Sequence, residues 1–170
     1  MDNQTISRHC FSVLVENQPG VLARVVGMFA GRGYNIESLA VDEIEAEKNL
    51  SRITIVSTGT QTVLDQIAAQ LRRIVPVWRV VDLTEEGPLV ERSYALLKVS
   101  GDTQQRLKAA DLARKSGARA VDESENTVIF EISGAPQKIG ECIKALRDVG
   151  LVEVARSGSV AIGCGKNTIL

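Results

Sequence analysis

The chain has 170 residues, of which 20 are lysine or arginine and 21 are aspartate or glutamate, so its formal net charge is −1. The basic residues are scattered, which argues against a surface for nucleic acid or anionic membrane. No apolar run approaches the ~20 residues of a membrane span, and the N-terminus shows no export signal. We therefore expect a cytoplasmic protein with one domain or two small ones.

The first element is a strand that leads into a tight turn. Phe11, Val13 and Val15 alternate with polar residues and Leu14 adds an apolar residue to the other face, which predicts an interior strand. An Asn-x-Pro-Gly turn at residues 17–20 then opens an amphipathic helix. The free amides of such a helix start favour a small anion, and a glycine lets a ligand approach the backbone. The alternative is an ordinary strand-to-helix turn, because most helix starts bind nothing.

The next segment predicts a helix and a hairpin. Gly31 and Gly33 end a helix whose apolar stripe is formed by Leu22, Val25, Val26 and Phe29. Residues 34–42 return to an extended pattern. The acidic residues 43–49 are predicted to form a solvated hairpin loop, and residues 52–57 the strand that follows it.

A second helix and a last strand complete the first half. Thr60 is predicted to cap a helix that Pro76 closes and that buries Leu64, Ile67, Leu71 and Ile74. Residues 77–83 form the last strand. The order β-α-β-β-α-β predicts four antiparallel strands covered on one side by two helices. The open face and edges of so small a sheet favour pairing with a second copy of the chain.

The same order recurs in the second half. A polar segment that ends in Gly87-Pro88 predicts a linker. We therefore divide the chain into a first domain at residues 1–84, a linker at 85–88, a second domain at 89–158 and a tail at 159–170 without a recognisable motif. The first strand-to-helix junction of the second domain carries Asp102, which would cap its own helix and repel an anion. If one domain binds a small anion, it is the first.

The side chains that could support catalysis are few. His9 is the sole histidine and is expected beside the start of the first strand. Cys10 and Cys142 fall in strand and helix patterns and are expected in the core, whereas Cys164 lies in a glycine-flanked tail. The cysteines have no metal-ligand spacing, and no P-loop, GxSxG or HExxH motif is present. We expect no catalytic residues and no metal site.

Two blocks of the sequence resemble a known family. Residues 14–25, which contain the Pro-Gly turn, and residues 32–39, which read Arg-Gly-Tyr-Asn-Ile-Glu-Ser-Leu, closely resemble the small regulatory subunit of acetolactate synthase (acetohydroxyacid synthase). Residues 50–56 and 152–158 are also similar to that family, so the resemblance covers nearly the whole chain. The second block is the more specific, because many amino-acid-sensing ACT domains share the Pro-Gly turn.

The resemblance implies an α+β fold of two ferredoxin-like βαββαβ sandwiches in tandem, the first of them an ACT domain. It implies a homodimer formed through the ACT domains, with valine bound at the interface as a feedback inhibitor of branched-chain amino-acid synthesis. A separate catalytic subunit would hold thiamine diphosphate, magnesium and FAD and would condense pyruvate with pyruvate or with 2-oxobutyrate. This chain would bind no cofactor and would raise the activity of that subunit.

By position, the resemblance implies that the valine site is formed by Asn17, Gly20, Val21 and Leu22 of one subunit and by the partner's Asn35 and the partner's Ile36, at the beginning of the second strand. The helix-start amides would hold the carboxylate, at about 1.5–3 kcal/mol for each charge-assisted bond. The two asparagines would hold the ammonium, and the apolar side chains would form a wall for the isopropyl group.

Each of these residues also has a purely structural interpretation. Asn17 could only cap the helix, and Gly20 could serve only the turn. Asn35 could be a turn residue before the strand, and Ile36 could belong to the core. A free-standing amino-acid-sensing regulator is the alternative function, which the lack of a helix-turn-helix or basic arm disfavours. A small enzyme that uses His9 or a cysteine is less consistent with the sequence.

Overall fold

The structure is a computed structural model that describes residues 5–166 and 168–170. Residues 1–4, where the sequence shows no export signal, and Asn167 of the tail lie outside the described part. In chain order the elements are β1 (Ile6–Glu16), α1 (Val21–Arg32), β2 (Ser38–Glu45), a 3₁₀ turn (Ala46–Lys48), β3 (Leu50–Thr60), α2 (Gln61–Leu71), β4 (Val77–Asp82), β5 (Leu89–Ser100), α3 (Thr103–Lys115), β6 (Arg119–Glu123), β7 (Thr127–Gly134), α4 (Pro136–Arg147), β8 (Leu151–Arg156) and β9 (Val160–Gly163).

The chain divides into two compact units. One is formed by Met1–Val90 together with Ser159–Leu170, and the other by Glu91–Gly158. The tail, which the sequence left unassigned, thus belongs to the first unit. Residues 85–90, which the sequence divided between a linker and the second domain, belong to it as well. Each unit follows the order β-α-β-β-α-β, which confirms the predicted α+β class with two ferredoxin-like sandwiches in tandem.

The sheet of the first unit has the strand order β2-β3-β1-β4, and the paired strands run antiparallel. β1 is therefore an interior strand, as its apolar residues on both faces predict. One face packs against α1 and α2 in a core whose largest fully buried side chains are Phe11, Phe29, Ile53, Ile55, Leu64, Ile67 and Leu71. Thr60 caps α2 as predicted, since its hydroxyl accepts from the Val63 amide at 3.4 Å.

The structure corrects the expected bounds of β2. Pairing with β3 begins at Ser38 opposite Val56, so Asn35 and Ile36 precede the strand and do not begin it. At the other end the strand continues through the acidic residues to Glu45, which lies opposite Leu50. Acidic side chains are compatible with an edge strand, because they can face solvent while the backbone pairs on one side. The hairpin loop is accordingly shorter than the predicted residues 43–49.

The buried stripe of α1 also differs from the prediction. The buried residues are Val21, Val25, Met28 and Phe29, which recur at i, i+4, i+7 and i+8. Val26, which was predicted to face the core, is 38% exposed. The predicted terminator Gly31 lies inside the helix, and Gly33 alone caps it, with φ of 68°.

The second face of this sheet is covered by the tail of the same chain. Ala161 and Ile169 are buried there against Cys10, Leu14, Leu50, Val56, Val81 and Leu83. The Ser159 amide donates to Ser38 Oγ at 2.6 Å, and the Arg52 guanidinium donates to the Ala161 carbonyl. The expectation that this face is open for a second copy is therefore wrong at these residues. Edge strand β2 still has one unpaired side within the sheet.

The second unit repeats the architecture with the strand order β6-β7-β5-β8. Asp102 caps α3 in a capping box with Gln105, as the acidic junction predicts. α3 buries Ala109 and Ala113, whereas Leu107 is 68% exposed. The core is completed by the alternating residues of β5 and β7 and by α4, whose buried residues are Ile139, Cys142 and Leu146.

Candidate functional site

The junction between β1 and α1 is built around a left-handed glycine. Gly20 stands at the N-cap of α1 with φ of 83°, a conformation that side chains rarely adopt. A Cβ built at Gly20 would meet no heavy atom within 4 Å, so the space above this residue is open. Two backbone hydrogen bonds hold the start of the turn in place: the Asn17 amide donates to the Asn49 carbonyl at 2.7 Å, and the Glu16 amide donates to the Pro76 carbonyl at 3.1 Å.

Two amides of the first helical turn are left without an acceptor. The Val21 amide makes a long bond of 3.3 Å to the Gln18 carbonyl, and no side chain caps the helix. Within the described residues, the amides of Leu22 and Ala23 donate to no protein group. Unpaired amides at a helix start, together with the positive end of the helix dipole, attract an anion. The sequence did not predict the Ala23 amide as part of the site, because an unpaired backbone amide leaves no mark on the choice of side chain.

Asn17 does not cap the helix, which was its structural alternative. Its side chain is exposed and makes no hydrogen bond to any described residue, although its backbone amide is bonded. The two charged side chains beside the junction bond to residues in or just before β4. The Glu16 carboxylate accepts from Trp78 Nε1 at 3.3 Å, and the Arg24 guanidinium donates to the Val75 carbonyl at 2.6 Å. The turn therefore carries an exposed, neutral amide side chain at Asn17, and the helix that follows begins with two backbone amides that donate to no described protein group.

Asn35 and Ile36 lie in the connection between α1 and β2. The Asn35 carbonyl accepts from Ser57 Oγ at 2.7 Å while its side chain is exposed. Ile36 is half-buried and packs against the core, so its structural alternative holds in part. The fold thus leaves one polar side chain and one partly exposed apolar side chain just before the edge strand.

Within one chain the two groups of residues lie at opposite ends of the sheet. The junction follows Glu16, which is level with Leu50 of β3 and, beyond it, with Glu45 at the end of β2. The start of β2 is instead level with Val56 and Cys10. Cys10 and Glu16 are six residues apart on one strand, which corresponds to about 20 Å at roughly 3.3 Å per residue. A single chain therefore does not bring the six predicted residues together.

The histidine and two of the three cysteines considered for catalysis are buried side chains of the fold. Cys10 and Cys142 are each 1% exposed, as predicted, and Cys164 is exposed. His9 lies within β1, not beside its start, and is 4% exposed, with Nδ1 at 2.7 Å from Asp82 Oδ2. Sequence reasoning missed this pair, because the two residues are 73 positions apart. None of the helices in the described ranges has the length and apolar character needed to cross a membrane.

Comparison with known proteins assigns both halves of the chain to one protein family. Residues 11–79 match the model of the acetolactate synthase small subunit-like ACT domain, and residues 92–165 match that of the small subunit of acetolactate synthase. The first unit is thus an ACT domain. The chain belongs to the family of acetolactate synthase small subunits, and it is a regulatory small subunit by homology.

Individual relatives agree with this assignment along nearly the whole chain. The acetolactate synthase small subunit of Mycolicibacterium smegmatis is 39% identical over 161 residues, which cover 95% of this chain and 94% of the relative. A probable acetolactate synthase small subunit of Archaeoglobus fulgidus is 41% identical over 155 residues, which cover 91% and 96%. The crystal structure of the small subunit from Thermotoga maritima superposes with a TM-score of 0.81 at 35% identity, over 95% of this chain and 99% of that one.

Proposed function

We propose that the chain binds valine at its β1–α1 junction and thereby confers feedback inhibition on the catalytic subunit of acetolactate synthase. The observation that carries the proposal is the open helix start, where left-handed Gly20 exposes the free amides of Leu22 and Ala23. A carboxylate is the group of an amino acid that such a start stabilises. Asn17 is exposed in the same turn, three residues before Gly20, and its side-chain oxygen would accept from the ammonium.

We further propose that the site is completed by a second copy of the chain. If two β2 strands pair antiparallel at their free edges, the start of one strand comes opposite the end of the other. The end of β2 is level with Glu16, so the partner's start of β2 would come to the same end of the sheet as the junction. The partner's Asn35 and the partner's Ile36 would then face Asn17, Gly20 and Leu22.

The proposed pocket would favour a branched aliphatic side chain. Leu22 is half-buried at the margin of α1, and Ile36 is half-buried against the core, so both have apolar surface to offer. One methylene more or less in such a pocket changes binding by only about 1–3 kcal/mol. Leucine and isoleucine are therefore expected to bind more weakly than valine without being excluded.

We propose that the chain has no catalytic activity of its own and acts on a separate large subunit in the cytoplasm. That subunit would carry thiamine diphosphate, magnesium and FAD and would condense pyruvate with pyruvate or 2-oxobutyrate. The name of the relatives, small subunit, supports the partnership. Activation and inhibition would then both reflect different affinities of the large subunit for two states of the ACT dimer.

Sedimentation of the purified chain with and without valine tests the two-chain site. A ligand that binds only the dimer shifts the monomer–dimer equilibrium toward the dimer by mass action. We expect valine to lower the concentration at which dimers form, and alanine, which lacks the isopropyl group, to do so much less. Binding of valine with equal affinity to a monomeric sample would show that the site lies within one chain. Pyruvate condensation by the chain alone would refute the non-catalytic role.

A further inference from the structure

Three side chains of the first unit that can each ligate a cation converge at the end of β4. They are His9 of β1, Asp82 at the end of β4 and Glu85 in the segment that follows, and their ligand atoms all lie within 4.8 Å of one another. The shortest separation is 2.7 Å, between His9 Nδ1 and Asp82 Oδ2. Ligands of Zn²⁺ lie about 2.0–2.2 Å from the ion. Small side-chain adjustments therefore suffice to place all three around one ion.

We propose that His9, Asp82 and Glu85 form a binding site for a divalent transition-metal ion of the Zn²⁺ class. One imidazole nitrogen with two carboxylate oxygens is a ligand set that suits such ions, whereas Mg²⁺ and Ca²⁺ prefer oxygen alone. Three protein ligands leave at least one coordination position for water. An ion of charge +2 also balances the two carboxylates when the imidazole is neutral.

Burial differs among the three ligands in a way that suits a metal site. The side chains of His9 and Asp82 are 6% and 13% exposed, whereas Glu85 is exposed. Buried His9 and largely buried Asp82 would provide a fixed geometry away from bulk water. The exposed carboxylate provides a route by which an ion can enter from solvent and closes the site from outside.

Each ligand also makes a hydrogen bond to a group outside the cluster or to the backbone beside it. His9 Nε2 lies 3.2 Å from Ser7 Oγ, so Nδ1 is the nitrogen directed at the carboxylates. Asp82 Oδ1 accepts from the two backbone amides that follow Leu83, at 3.0 and 3.4 Å. Glu85 Oε1 accepts from Gln61 Nε2 at 2.9 Å. Metal ligands are characteristically held by such outer contacts, which fix their orientation and raise affinity.

The ion would join two parts of the first unit that are distant in the sequence. His9 is in the first strand, and Asp82 and Glu85 lie where the chain leaves the last strand of the ACT sheet. Cross-links that close long loops contribute most to stability in the chain-entropy description. The site is far along the sheet from Gly20, because His9 precedes Glu16 by seven residues on the same strand. It is therefore separate from the proposed effector site.

Calorimetric titration with Zn²⁺ tests the proposal, with the untagged full-length chain carrying Cys164→Ser, since the exposed thiol would itself bind zinc. Glu85→Gln removes one ligand at an exposed position, where misfolding is not a concern. Glu86→Gln is the matched control, because it removes a neighbouring exposed carboxylate outside the cluster. We expect one Zn²⁺ per chain in the parent and the control, and a loss of affinity of more than about tenfold in Glu85→Gln.

The single histidine allows a direct spectroscopic readout. His9 is the only histidine in the chain, so the nitrogen-15 NMR spectrum contains one imidazole. We expect Zn²⁺ to shift the Nδ1 resonance with the same saturation curve as the calorimetric titration. Three outcomes would each overturn the proposal: no saturable binding, an imidazole signal unchanged at saturation, or equal affinities of Glu85→Gln and Glu86→Gln.

Discussion

The substitution Gly20→Asp provides the sharpest test of the valine site. It places a carboxylate over the free amides of Leu22 and Ala23, where the carboxylate of valine is proposed to bind. The new side chain can be accommodated, because a Cβ at this position meets no atom within 4 Å. Its left-handed backbone costs about 1–2 kcal/mol of stability, although aspartate and asparagine tolerate that conformation better than most residues.

The expected loss of binding follows from the two amides. Each charge-assisted bond to a carboxylate is worth about 1.5–3 kcal/mol, so losing both costs about 3–6 kcal/mol. Since about 1.4 kcal/mol corresponds to a factor of ten, valine should bind at least about a hundredfold more weakly. Repulsion between the two carboxylates adds to this loss.

Gly20→Asn is the matched control for this substitution. Asparagine has the same shape and the same backbone strain but no charge. Its side-chain oxygen can accept from the same amides, so it should also weaken valine binding, but less than aspartate, whose charge in addition repels the carboxylate of valine. Aspartate at a helix start also gains about 0.3–1 kcal/mol from the helix dipole. The Asp variant should therefore be at least as stable as the Asn variant in thermal unfolding. If calorimetry shows that both variants bind valine as tightly as the unsubstituted chain, the carboxylate of valine does not bind at these amides.

Three further changes test other parts of the structure. Asn35→Ala should weaken valine binding in calorimetry without lowering the thermal midpoint, because the bond that Asn35 makes to another described residue is through its carbonyl, which the substitution keeps; unchanged valine affinity would remove it from the site. Ile169→Ala should lower the free energy of unfolding in urea by about 2 kcal/mol or more, whereas Ile162→Ala, 58% exposed, should change it by less than about 0.5 kcal/mol; equal effects would show that the tail does not cover the sheet. Hydrogen bonds from Tyr94 and Arg119 hold the pKa of the Glu131 carboxyl below its ordinary 4.5. The unsubstituted chain should therefore be more stable than Glu131→Gln above about pH 4.5, and this advantage should disappear as the pH falls through the lowered pKa. A pH-independent difference in urea unfolding would contradict the assignment.

Local features of the sequence predicted the elements better than their limits. The Pro-Gly turn, the Thr60 cap and the Asp102 cap are signals confined to a few residues, and the structure confirms them. The buried face of α1 was harder to predict, because apolar residues also lie on both sides of the buried stripe. Val26 and Met28 are both compatible with a 3.6-residue period, and only the position of the sheet decides that Met28 is buried.

Contacts between distant segments could not be read from the sequence. The acidic residues before Glu45 have the composition of a loop, and only pairing with β3 makes them a strand. The tail bonds to a residue 121 positions away, and its few apolar residues match no repeating pattern. For the candidate site, the helix start was predictable because it is local. The position of Asn35 and Ile36 at the far end of the sheet required the strand register.

The tail is bonded to the start of β2 within the first unit. Ser38 opens β2 two residues after Ile36, and its hydroxyl accepts from the Ser159 amide at 2.6 Å. Ser159 is the first residue after Glu91–Gly158, so the chain that leaves the second unit is bonded to the start of this strand. The amide is buried, and leaving it unpaired would cost about 1–3 kcal/mol. A shift of Ser38 at the start of β2 would therefore have to keep this hydrogen bond to Ser159 or pay that cost.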